Sequence, residues 1–289
     1  MRVEYDLTGC FASYVKKILS PKEYYQSYMR GEASSARFRD AMLADASLAA
    51  LPGFYESNIE RIALTPIDEK LPAEAIIKYL TDYGIVPARD TVNLYEGFEE
   101  YRKHIHGSYD HGEFLTSISP EDERLLYAMA ALRRPERVFA AGSYYGYFAV
   151  WAMKAVAERG GQCVLSDIDE EVCELARKNF DSLGFGAYAD IYCRDAESLL
   201  LRRTQPIDLL VLDATGDIGD PRPAYRGKRI YGALLKDAKH LLIKGSMIVI
   251  HNMEPENPDM QALVDELQGI NALGTSYDTY NGLGVYIVV

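Results

Sequence analysis

A loop with two glycines, Gly142-Ser143-Tyr144-Tyr145-Gly146-Tyr147, follows an apolar run at 137–142 and leads into a helical stretch. The glycines allow a tight turn and a close backbone approach, and the helix behind them presents free amides to a ligand. The next apolar run, 162–168, closes on Ser166-Asp167-Ile168-Asp169. A carboxylate in that position reaches a ribose hydroxyl pair. The third run closes on Asp195-Ala196, where an acid can accept from an adenine amino group, and the fourth on Asp213. For each acid taken alone the plainer role is a helix N-cap, and Asp195 is ambiguous on that count. Asp167 combined with the glycine loop favours nucleoside binding. The Gly-x-Gly-x-x-Gly spacing of dinucleotide enzymes is absent.

A fifth run ends in His251-Asn252. With a reference pKa of about 6.5, a histidine there can act as general base near neutrality or orient a substrate carboxylate. Asp213 and His251-Asn252 are expected to converge at one pocket. His104, His106 and His111 read as half-exposed hinge imidazoles rather than a zinc set, since no cysteine or acid completes them. The loop 217–223 has the composition of a gate. Arg222 and Arg226 can meet a carboxylate there, with a solvated surface as the plainer account.

These residues need a scaffold that brings strand ends together. From Ser119, an N-cap before Pro120, helical and extended patterns alternate. Strands are expected at 137–142, 162–168, 188–193, 207–213 and 246–251. Helices are expected at 120–134, 147–159, 170–183, 197–202, 224–242 and 259–269. Such alternation implies a parallel sheet with helices on both faces. The segment 274–289 reads as two further strands turning through Tyr280-Asn281-Gly282, an antiparallel hairpin. Before Gly112 the texture is helical and holds 11 of the 22 tyrosines. Two units are expected: a helical, Tyr-rich lid or substrate domain over 1–112 and a Rossmann-like catalytic domain over 113–289.

Lysine and arginine number 31 against 43 acids, a net charge of −12, which disfavours a nucleic-acid partner and leaves a small molecule. Cys10, Cys163, Cys173 and Cys193 form no Cys-x-x-Cys pair, so reduced thiols and a cytoplasmic setting are expected. The amino terminus lacks an apolar leader, and no run is long enough to span a membrane. Association as a homodimer stays open.

Glycine loop, ribose acid, adenine acid and fourth strand-end acid, in that order, resemble the class I S-adenosylmethionine-dependent methyltransferases over about residues 113–289. Tyr144 and Tyr147 in the loop, with Leu241-Leu242-Ile243-Lys244-Gly245 before the fifth strand, resemble the catechol O-methyltransferase branch. The resemblance implies an α/β Rossmann-like sheet, mostly parallel with a C-terminal antiparallel hairpin, beside an N-terminal helical domain. It implies S-adenosylmethionine held by residues 142–147, Asp167, Ile168, Asp195, Ala196 and Asp213, with His251, Asn252, Asp213 and Tyr144 as the catalytic set.

The sequence also departs from that branch. Its members bind Mg²⁺ through an acid after the fourth strand, then an acid and an asparagine after the fifth. Here the set is Asp213, His251 and Asn252. Hard Mg²⁺ prefers oxygen, so no metal is expected. The lysine base of the branch is replaced by Gly216, the acid of its last hairpin falls near Gly284, and the acid before the first glycine is Ala140.

The expected reaction is metal-independent methyl transfer to oxygen or nitrogen of a small secondary metabolite, leaving S-adenosylhomocysteine. Ala140 suggests an alternative. Without its acid partner the cofactor amine is more readily neutral and can attack its own γ-carbon, giving azetidine-2-carboxylate and methylthioadenosine. The sequence resembles azetidine-2-carboxylate-forming enzymes in part. A binding-only regulatory subunit is the third reading. Amphipathic packing is the plainer role of most of the 22 tyrosines; Tyr144, Tyr145 and Tyr147 sit where they can contact the sulfonium, and Tyr5, Tyr24, Tyr25 and Tyr28 can reach it from the lid.

Overall fold

The computed structural model describes residues 18–30, 32–33, 35–50, 70–110, 120–253, 257–277 and 282–289. Five parallel strands, β1 (Arg137–Ala141), β2 (Gln162–Asp167), β3 (Ala189–Cys193), β4 (Ile207–Leu212) and β5 (Leu242–His251), form most of one sheet. The sheet is completed by β6 (Ala272–Tyr277) and β7 (Leu283–Val288), and β7 runs antiparallel to both of its neighbours. The strand order is β3-β2-β1-β4-β5-β7-β6. The order reverses direction between β1 and β4, which opens a crevice at their carboxyl ends.

Period-two alternation sorts the strand side chains onto two faces. Val138, Ala140, Leu209, Val211, Met247 and Val249 enter one apolar cluster. Phe139, Ala141, Leu210, Leu212, Ile248 and Ile250 enter the other. Every residue of β4 is buried, as expected of a central strand covered on both sides.

Helices among the described residues before residue 111 include α1 (Glu23–Met29), α2 (Ser35–Leu43), α3 (Ala46–Ala49), α4 (Leu71–Asp82) and α5 (Phe98–Ser108). On α4, Ala73, Ile76 and Leu80 recur at helical spacing, as do Phe98, Tyr101 and Ile105 on α5. All six join the Val138 face of the sheet core. The segment from 71 onward is thus built onto the sheet. Tyr24, Tyr25 and Tyr28 of α1 turn their rings onto Phe38 of α2, and the Tyr24 hydroxyl donates to Asp45 Oδ2 at 2.8 Å. These three rings serve helix packing. Tyr5, Cys10 and the turn at 280–281 lie outside the described residues, as do Gly112, His111 and Ser119.

The remaining helices are α6 (Pro120–Arg133), α7 (Tyr147–Val150), α8 (Met153–Glu158), α9 (Glu170–Ser182), α10 (Ala196–Arg202), α11 (Ile230–Ala238) and α12 (Gln261–Gly269). Three expectations change. The stretch 147–159 forms two short helices instead of one. The helix expected at 224–242 begins at Ile230, because Gly227, at φ 54°, exchanges two backbone hydrogen bonds with Gly216. That pairing spends residues 224–229 on the return of the β4 loop. Strand β5 starts at Leu242, ahead of the expected 246, with a register break against β4.

Candidate functional site

The loop after β1 meets the loop after β4 at van der Waals limit. A Cβ on Gly142, which sits at φ 73°, would lie 2.2 Å from Ala214 Cα, so only glycine fits. The Gly142 and Ser143 amides both donate to Ser166 O, at 3.1 and 3.0 Å, fastening the loop to the end of β2. Gly146, the N-cap of α7, has φ 84°, and a Cβ there would strike the Phe180 ring at 2.4 Å. Tyr144 lies between them at φ 47°, a left-handed conformation that an L side chain adopts only when its surroundings hold it. Its amide donates to Asp167 Oδ2 at 2.8 Å. Ser143 Oγ is buried without a hydrogen-bond partner.

Asp167 is the hub of the β2 end. Its Oδ1 accepts from the Ile168 and Asp169 amides at 2.8 and 3.3 Å, opposite the Tyr144 contact on Oδ2. Burial pushes this carboxyl above its ordinary range, while the three amides favour the charged form. A carboxylate has about four lone-pair sites, so acceptor capacity remains for a ligand. Ile168 beside it is 77% exposed, an apolar side chain left in the open at a strand end. Asp195 is exposed and caps α10 by accepting from Ser198 N at 2.8 Å, with Ala196 as the first residue of that helix.

The loop tyrosines diverge. Tyr144 and Tyr145 lie with ring centroids 4.0 Å apart, Tyr145 buried and Tyr144 half-buried. Tyr147 points into the protein, and its hydroxyl donates to Glu123 Oε1 at 2.7 Å.

At the ends of β4 and β5 the expected convergence is present, with a partner the sequence reading missed. His251 Nδ1 is 2.8 Å from Asp213 Oδ1, and His251 Nε2 is 3.5 Å from Asp122 Oδ2 on the first turn of α6. The imidazole is only 5% exposed, and the Phe148 ring lies 5.0 Å away. Burial pulls the imidazole pKa down, but the two carboxylates outweigh it and raise the pKa to about 9. The two carboxylates favour the protonated ring, which weighs toward the orienting role over the general-base role. Asn252, at φ 53°, ends the strand beside it.

His251 Nδ1 spends one Asp213 oxygen, while Nε2 is buried 3.5 Å from Asp122 Oδ2 without a hydrogen bond, so a hard cation would find a nitrogen where the set would need a third oxygen. This donor set does not fit Mg²⁺.

Two further features of the site were not read from sequence. The acids at 121–123 sit on the first turn of α6, and all three are buried. Glu123 binds Arg102 Nε at 3.0 Å and His106 Nε2 at 3.2 Å. Arg102 and His106 are one turn apart on α5, a spacing that could have signalled a shared acidic partner. Lys228 also approaches the β4 end, donating to Ala214 O at 3.1 Å and to the Tyr231 hydroxyl at 2.8 Å. Burial pulls the Lys228 ammonium below its ordinary range. Arg222 is not free for a ligand: it pairs with Glu197 at 2.7 Å and Asp220 at 3.2 Å and lies 3.7 Å over Tyr225. Arg226 donates to Asp220 O at 2.6 Å, so both arginines staple the 217–223 loop.

The strand order, the crevice and its acids define the class I methyltransferase fold. Residues 139–253 match the family model described as a methyltransferase domain. Among curated proteins, the chain is similar to a catechol O-methyltransferase of Niastella koreensis, 24% identical over 102 residues. That alignment covers 34% of this chain and 46% of the relative, so it spans less than half of that protein. Among solved structures, an O-methyltransferase from Bacillus cereus in complex with SAH aligns at TM-score 0.50 and 16% identity, over 77% of this chain and 100% of that one. TomG, an O-methyltransferase from Streptomyces achromogenes involved in tomaymycin synthesis and in complex with SAM, aligns at TM-score 0.51 and 17% identity, over 78% and 100%.

Proposed function

We propose that this protein is an S-adenosylmethionine-dependent methyltransferase that acts on an oxygen or nitrogen of a small metabolite without a metal. The observation that carries the metal-free part is the buried Asp122, His251, Asp213 row. In it an imidazolium fills the place between carboxylates that a divalent cation would need. Ser143 Oγ, buried and unpartnered, supports the cofactor part, because a polar ligand group is what would satisfy it.

When bound, S-adenosylmethionine supplies a methyl group already activated on a sulfonium. The chain's own residues then bind and orient. Asp167 accepts from the ribose hydroxyls, Ile168 covers an apolar face of the adenine, and Asp195 and Ala196 border it. The half-buried Tyr144 ring offers an electron-rich face near the glycine loop, worth about 0.5–2 kcal/mol toward a cation. Tyr145 and Gly146 hold that ring and the turn, and Tyr147 anchors the loop from behind. On the acceptor side, the His251 proton on Nδ1 keeps Asp213 fixed, and Asn252 adds a donor and an acceptor. Orientation supplies most of the rate. Of the helical region read as a lid, the described part from 71 onward is built onto the sheet, which leaves α1–α3 as the candidate cover, and the reduced thiols fit a cytoplasmic enzyme.

Ala140 favours a second reading. It is 2% exposed within β1, so that strand brings no carboxylate to the cofactor amine. Cyclisation of S-adenosylmethionine to azetidine-2-carboxylate would use that neutral amine.

Incubation with S-adenosylmethionine, with and without a metabolite extract, separates the readings. S-adenosylhomocysteine that appears only with extract, at a rate unchanged by EDTA, is the expected result, and loss of turnover on chelation overturns the metal-free assignment. Methylthioadenosine formed without extract above the spontaneous rate would establish cyclisation. Binding without turnover in either condition would leave a regulatory subunit.

A further inference from the structure

We infer that Cys173 and Cys193 form an oxidation-sensitive thiol pair at the edge of the nucleoside site, and that linking them by a disulfide weakens cofactor binding. The coupling to the cofactor rests on the reading above; the thiol pair does not.

Cys193 closes β3 and stands in register with Asp167 on β2. Cys173 lies on the first turns of α9 and points its sulfur at Asp167 O, 3.7 Å away, and at Tyr192 O, 3.6 Å away. The Cys193 sulfur is 3.5 Å from Ile168 O. Carbonyls of consecutive residues therefore receive one thiol each, and Cys173 also reaches the carbonyl of Tyr192, the residue next to Cys193 in the chain. Cys173 is sealed at 0% exposure, whereas Cys193 is exposed. Burial pushes the Cys173 thiol up to about 12, so it stays protonated until its neighbour is oxidised.

A peroxide meets Cys193 first. The thiol takes one peroxide oxygen to become a sulfenic acid, and one water leaves. The Cys173 sulfur then attacks the Cys193 sulfur. The S–S bond forms, the S–O bond breaks, and the oxygen departs as a second water with the Cys173 proton. Two thiols lose two electrons and the peroxide gains them.

A disulfide holds its sulfurs at about 2.05 Å and removes both S–H donors. The segment disturbed is 167–169, whose amides hold the Asp167 carboxylate. Coupling is reciprocal, so a bound nucleoside slows the oxidation that would weaken its binding.

The test treats the full chain with hydrogen peroxide, with and without saturating S-adenosylhomocysteine. Non-reducing peptide mapping and calorimetric titration of S-adenosylhomocysteine follow. A Cys173–Cys193 linked peptide is expected, together with a roughly tenfold weaker Kd that dithiothreitol restores, and linkage slowed by bound nucleoside. Cys193→Ser should abolish the peroxide response. Oxidised Cys193 that never links to Cys173 overturns the pair, and linkage with an unchanged Kd overturns the coupling. A reduced protein that fails to bind S-adenosylhomocysteine overturns the cofactor reading, while the peptide map still decides the thiol pair.

Discussion

His251 Nδ1 lies 2.8 Å from Asp213 Oδ1, across the carboxyl ends of two adjacent parallel strands. With Asp122 3.5 Å from the other ring nitrogen, the imidazole lies buried between two carboxyl groups that raise its pKa. Its protonation belongs to the folded state, and the pH dependence follows from that.

The folded pKa of His251, about 9, lies above its unfolded value of 6.5. Stability from this group is therefore complete below the unfolded value and is lost as pH rises through about 9. Urea unfolding should show a loss on the order of 3 kcal/mol across that window. His251→Gln should flatten the dependence. A wild-type profile that is already flat would remove the imidazolium assignment.

Asp167→Ala removes the carboxylate proposed to hold the ribose. A charged hydrogen bond contributes about 1.5–3 kcal/mol, so affinity for S-adenosylmethionine should fall roughly ten- to hundredfold by calorimetry. Unchanged affinity would place the ribose elsewhere. The Tyr144 amide also loses its acceptor, so a small fall in Tm should accompany the change.

Gly142→Ala forces a methyl against Ala214 at a φ that side chains rarely adopt. Destabilisation above about 2 kcal/mol is expected in chemical denaturation. The same change at Gly160, also at positive φ but with nothing within 4 Å, should cost less, since it lacks the clash.

Glu123→Ala strips the shared acceptor from Arg102, His106 and the Tyr147 hydroxyl in a site with no exposure. Breaking such a buried pair costs about 3–5 kcal/mol. Because Tyr147 begins the helix after the glycine loop, cofactor affinity should fall together with stability. A variant that keeps both would mean that Arg102 finds another partner.

Much of the scaffold could be read from local pattern. Alternation of apolar runs with helical periodicity is a short-range property, and it located the parallel strands to within a few residues apart from the start of β5. The glycines at 142 and 146 and the acids at 167, 195 and 213 announce themselves by position at strand ends. Local pattern left Asp195 open between an N-cap and an adenine acceptor, and the fold shows the cap directly. The split of 147–159 and the late start of α11 escaped, because the Gly216–Gly227 pairing joins residues far apart in sequence.

The electrostatics of the site lay beyond local pattern altogether. The acids at 121–123 are ordinary first-turn residues when α6 is considered alone, and His251 alone is a strand-end imidazole with an unremarkable pKa. Burial against the sheet turns the helix inward and brings Asp122 to His251, while the β4–β5 register sets Asp213 on the opposite nitrogen. Removed from water between those charges, the ring is held as a cation, a property of three chain segments that exists only once they meet. Residue types and spacing chose the fold and the glycines and acids at its strand ends. The protonation state and the partners of its central histidine were decided by packing, because desolvation and Coulomb attraction depend on distances between residues remote in sequence.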